Sequence, residues 1–121
     1  MAALRNLGVK RIVVVGPSPN WPHGLPQTLY NEVKREHLAR FPMRVKQQLS
    51  RARADRKLRP LARQLGVTYI APLDVLCNGE GCLARVADGA DQLTVWDPSH
   101  FTTVASTYFV EAVAEELLQG V

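Results

Sequence analysis

No apolar run in this chain of 121 residues approaches the roughly 20 residues that a membrane-spanning helix needs. The β-branched run Ile12–Val15 is too short for the core of a signal peptide, and no small-residue cleavage site follows it. Taken literally, the sequence has neither a leader nor an anchor. Histidine and cysteine are also scarce. Three scattered histidines and two cysteines offer no ligand quartet at ordinary spacing, which argues against a structural zinc site. Carboxylates are nearly missing from residues 34–63. That segment holds 11 of the 15 Lys and Arg, against Glu36 and Asp55 alone. It also holds one aromatic residue, Phe41, so it lacks the stacking platform of a single-strand-binding surface.

The residues present describe one globular unit. The chain is 46% hydrophobic and 21% charged, and its length fits a single domain over 1–121. The net charge of +4 comes from the basic segment. A helical stripe over 34–63 could grip phosphates, so a non-enzymatic module binding nucleic acid is the alternative reading of function. A solvated helix face is the plainer one, and nucleic acid is not the expected partner.

Periodicity sets the order of elements. Residues 2–7 read as the end of a helix closed by Gly8. Arg11–Val15 reads as a strand buried on both faces, of the parallel-sheet kind. GPSPNWPHGLP then places prolines at 17, 19, 22 and 26, each fixing φ and removing an amide donor, so a stiff loop is expected. A helix follows from Gln27 to about Phe41, and a second from about Val45 to Leu65, with Pro60 able to divide it and Gly66 just past its end. Val67–Ile70 is the next strand. Leu83–Val86 and Gln92–Trp96 suit a hairpin around Asp88-Gly89. Thr102 or Thr103 caps a last helix reaching about Leu118, with Gly120 beyond. The alternation argues for an α/β layered sheet. Only two strands look doubly buried, and the chain opens inside a helix, so further strands are expected on its N-terminal side.

Cys77 and Cys82 enclose Asn-Gly-Glu-Gly, which turns easily because glycine accepts positive φ. The two thiols either close a disulfide, which implies an oxidising compartment, or remain free in a cytosolic loop. The tight turn favours the disulfide, which conflicts with the lack of a leader. A chain that is a piece of something longer would remove the conflict.

WDPSHFT, residues 96–102, falls at a strand-to-helix junction. Asp97 can reach the Nδ1–H of His100 and fix its tautomer, leaving Nε2 free to take a proton. On spacing alone, a turn capped by Asp97 beside a surface histidine explains the pattern as well. Four stretches in order give it more weight: KRIVVVGPSPNWP, VTYIAPLDVLC, NGEGC and LTVWDPSHFTTVAS. Together they resemble the C-terminal half of an SGNH hydrolase domain, in the version attached to membrane acyltransferases of the O-antigen acetylase type. The resemblance covers nearly all of the chain. It departs at Phe101, Thr102 and Ala105, where leucine, serine and glycine are usual.

The resemblance implies an incomplete three-layer, flavodoxin-like sheet flanked by helices. The reaction it implies is acyl-ester hydrolysis or acyl transfer on O-acyl groups of cell-envelope carbohydrate, with no metal or cofactor. Asp97 would orient His100, and His100 would be the general base. The family's nucleophile lies in a Gly-Asp-Ser block, and its other oxyanion donors lie in Gly and Asn blocks. No Asp-Ser or Gly-Ser dipeptide occurs here, and the serines are Ser18, Ser50, Ser99 and Ser106. Ser18 lies between prolines and Ser99 inside the turn, so neither suits the role. The expected partners are an acylated carbohydrate or acyl donor, and an N-terminal half or membrane acyltransferase domain, in trans or in a parent chain. The expected place is the periplasmic face of the membrane. Trp21 and His23 are candidates for a substrate loop. A non-catalytic remnant is the third reading.

Overall fold

The structure is a computed structural model, and it describes residues 1–46 and 51–119. Its elements are helix α1 (Ala2–Asn6), strand β1 (Val13–Val15), helix α2 (Leu25–Glu36), strand β2 (Arg44–Val45), helix α3 (Ala52–Leu65), strand β3 (Thr68–Ile70), helix α4 (Pro72–Leu76), strands β4 (Cys77–Asn78) and β5 (Gly81–Leu83), a 3₁₀ turn (Ala90–Gln92) and helix α5 (Thr103–Leu118).

β1 and β3 pair in parallel, with Val14 opposite Tyr69, as two β-branched runs joined by a helical crossover require. Alternation then sends side chains to two layers. Val13 and Ile70 face α5, where they meet Phe109 and Val113. Val14 faces α3, beside Leu58, Leu61 and Ala62. On that face Tyr69 reaches Asp55 and Arg59 of α3. The parallel pair is thus the middle of three layers. Its doubly buried character holds only in part: Val15 is 52% exposed, because β1 has no strand on its second edge among the described residues.

A second sheet, in the order β2–β5–β4, is antiparallel. It was not expected from the sequence. Arg44 and Val45 pair with Leu83 and Cys82, a match set by the tertiary fold and not by local pattern. The helix expected to start at Val45 therefore starts later. Its Leu49 lies outside the described residues, as does Gly120. Pro60 does not divide α3, which runs unbroken to Gly66 in the left-handed region at φ 64°. The helix expected to reach Phe41 stops at Glu36, because His37 turns left-handed (φ 53°) and Leu38 donates back to Val33 O. The expected hairpin forms in outline, with Arg85 bridged to Leu93 and the 3₁₀ turn at its tip.

Two arginines close helix ends. Arg5 donates to the carbonyls of Leu65 and Gly66 at the end of α3, and Arg11 donates to those of Glu116 and Leu117 at the end of α5. Both place a cation at the negative end of a helix dipole. One core cluster gathers Trp21, Leu25, Leu29, Val45, Leu93 and Val95 beneath the loop after β1.

Candidate active site

The site lies past the C-terminal ends of the parallel strands, where open α/β sheets bind ligands. Val95 bridges Phe101 in antiparallel fashion, so residues 96–100 bulge outward as a closed loop. Thr102 holds its base three ways. Its N–H donates to Thr94 O (2.9 Å), its hydroxyl donates to Leu93 O (2.7 Å), and the same oxygen accepts from the Ala105 N–H (3.2 Å) as the N-cap of α5. Phe101 packs against both core clusters, its ring 6.0 Å from that of Phe109.

Within the loop, Asp97 Oδ1 accepts from the backbone N–H groups of His100 (2.7 Å) and Ser99 (2.8 Å), and Oδ2 lies 2.6 Å from His100 Nδ1. These contacts, the His100 amide first, hold the Asp97 carboxyl down at about 2. Asp97 is therefore ionised near neutral pH and must accept, so Nδ1 carries the proton and Nε2 is the free nitrogen. The imidazole is 87% exposed, and its free edge meets solvent. A proton acceptor with a fixed tautomer, open on one side, can serve as a general base to a hydroxyl brought beside it.

The loop after β1 docks on this bulge, with the Trp21 N–H donating to Pro98 O at 2.7 Å. Trp21 itself is 2% exposed and belongs to the core, so its side chain supports the bulge from beneath and does not form a pocket wall. His23 is exposed on the same loop. Trp96, next to Asp97, is 57% exposed. Of the sequence candidates, the structure joins Asp97 to His100 and joins Cys77 to Cys82 in a disulfide. It buries Trp21 in the core beside Val95, at the base of the bulge.

Sequence reading missed a polar cluster beside β3. Asp55, nearly buried, accepts from the Tyr69 hydroxyl (2.7 Å) and from Arg59 (2.8 Å), while Arg59 also bonds Asp74 (2.6 Å). Burial alone would raise the Asp55 carboxyl, but the bonds from Tyr69 and Arg59 outweigh it and hold it below its ordinary value. Burial, then the bond to Asp55, pushes Tyr69 up to about 12. The phenol lies over Gly16, where an added Cβ would come within 2.1 Å of the hydroxyl. The cluster thus fixes the glycine that opens the Pro-rich loop. The pattern Gly-Pro after a β-branched run was the one visible sign of it.

Among the described residues, no group of three or more His, Cys, Asp and Glu gathers to hold a metal, and no helix is long and apolar enough to cross a membrane.

Layered α/β architecture, a parallel pair and an Asp-x-x-His bulge at its carboxyl end define an α/β class with its candidate site at the strand ends. The sequence profile of the SGNH domain (fused to AT3 domains) matches residues 1–115, and the chain belongs to that family. The solved periplasmic domain of a lipopolysaccharide acetyltransferase from Salmonella ser. Paratyphi A has a similar fold, with a TM-score of 0.85 and 24% identity over 96% of this chain and 45% of that one. The chain thus spans less than half the length of that domain chain. No curated protein matches it significantly in sequence.

Proposed function

We propose that the chain is the C-terminal portion of an SGNH-type domain and supplies the base of an acyl-ester hydrolase or acyltransferase acting on O-acyl groups of envelope carbohydrate. Asp97 orients His100, and Nε2 of His100 takes the proton of an attacking serine. That serine and the oxyanion donors belong to polypeptide outside these 121 residues, either in a parent chain with a membrane acyltransferase domain or in a separate partner. The reaction runs through an acyl-serine. The serine oxygen attacks the acyl carbonyl, its proton passes to His100, and the leaving hydroxyl regains a proton from the imidazolium. A carbohydrate hydroxyl or water then takes the acyl group. The loop after β1, with His23 exposed, would border the substrate. The periplasmic face is the setting that suits both the disulfide and the envelope substrate.

The observation that carries this reading is the 2.6 Å contact between His100 Nδ1 and Asp97 Oδ2, with Nε2 open at the strand ends. The test is a chimera in which this chain replaces the matched 45% of the Salmonella domain. Turnover of p-nitrophenyl acetate should appear in the chimera and stay near background in the chain alone. A folded chimera whose turnover survives His100→Ala intact would end the proposal.

A further inference from the structure

The charge of the chain is divided between the two helical layers. α3 carries Arg53, Arg56, Lys57, Arg59 and Arg63 against Asp55 alone. α5, on the other face of the β1–β3 pair, carries Glu111, Glu115 and Glu116 and no cation. On α3, Asp55 and Arg59 satisfy each other, Tyr69 and Asp74 at the inner side of the helix. Arg53, Arg56, Lys57 and Arg63 are exposed and make no ion pair among the described residues. Positions 53, 56 and 57 are one turn apart, so these cations share a face. Leu61, exposed beside them, gives that face an apolar border.

We infer that the outer face of α3 docks on an anionic bilayer surface. A flat array of long cationic side chains with an apolar flank suits a plane of phosphate headgroups. α3 has no aromatic residue on which a base would stack. The acidic α5 on the opposite face is repelled by the same surface, so attraction and repulsion act together to set one orientation. The Asp97–His100 bulge lies at the strand ends, between the two faces, and stays open in that orientation. The inference does not rest on the catalytic reading: the docking face and the bulge share no residue, and each can fail alone.

The test uses the 121-residue chain and vesicles of phosphatidylglycerol in phosphatidylcholine, with co-sedimentation as readout. The chain should bind these vesicles, release them as salt rises, and ignore pure phosphatidylcholine. Each cation lost should weaken binding about fivefold. Arg53→Gln/Arg56→Gln/Lys57→Gln/Arg63→Gln should therefore lose roughly two to three orders of magnitude, while replacing the three arginines by lysine should keep most of the affinity. The pairs Arg53→Gln/Arg56→Gln and Lys57→Gln/Arg63→Gln serve if the fourfold variant fails to fold. Glu111→Gln/Glu115→Gln/Glu116→Gln should bind at least as well as the parent chain. Equal binding to neutral vesicles, undiminished binding by the α3 variants, or displacement from anionic vesicles by a short DNA duplex held more tightly would each overturn the inference.

Discussion

At the scale of residues, Asp97 is the group that everything at the bulge converges on. Its two backbone bonds and its bond to His100 all favour the charged form. Its folded value, about 2, lies below the ordinary 3.8, so the unfolded chain binds the proton more readily. The stabilisation Asp97 gives the bulge is complete above about pH 4 and is lost as pH falls through about 2. Carbon-detected titration of its carboxyl should show that low midpoint, and a midpoint near 4 would mean the loop is open in solution. In the active chimera, Asp97→Asn should cost on the order of 10⁴ in turnover and His100→Ala on the order of 10⁴ to 10⁶, the losses that triad variants of serine hydrolases show. Gly16→Ala is expected to destabilise by about 1–3 kcal/mol, since its methyl must push the phenol of Tyr69 off Asp55. In urea melts, the loss for Gly16→Ala with Tyr69→Ala should fall short of the sum of the two.

Among elements, what could be read beforehand was what local pattern dictates. Ile12–Val15 and Val67–Ile70 are β-branched runs and became β1 and β3. α5 was visible from its Thr cap and its length. The cysteine loop closed as its Gly-containing turn invited. The early end of α2 was not visible, since Leu38 and Phe41 continue its apolar spacing while His37 leaves the helix. β2 was not visible either. Two residues carry no period, and their partners lie far along the chain at Cys82 and Leu83. That small sheet is stapled twice: by the disulfide, and by Arg44 Nη1, which donates to Leu76 O (3.0 Å) and Gly81 O (3.1 Å) on either side of it. Replacing Cys77 and Cys82 by alanine should cost about 2 kcal/mol for so short a loop. A urea melt with and without reductant, on the parent chain and the variant, checks this, and the variant should show no response to reductant.

For the molecule as a whole, the edge of β1 that has no partner among the described residues is the largest unanswered demand of the fold. Gly16 N–H donates to Ile70 O and Ile12 O accepts from Thr68 N–H, so the even-numbered residues of β1 face β3. Val13 and Val15 therefore turn their amides to the unpaired side. Hydrogen exchange should be fast at these two amides and slow at Val14 and Gly16 in the chain alone. In the chimera Val13 and Val15 should gain protection. Protection of both in the chain alone would point instead to self-association through this edge. Such an edge is a hazard as well as an opening, because an uncovered strand accepts any extended segment.

Phe101 has its ring in both core clusters at once, one residue after the histidine. The loop carrying the exposed imidazole is consequently anchored to the interior of the protein, and on the proposed mechanism the serine would meet a base held in place by that anchor. If that serine comes on a separate polypeptide, the onset of turnover after mixing should scale with the concentration of the two pieces and show no slow unimolecular lag.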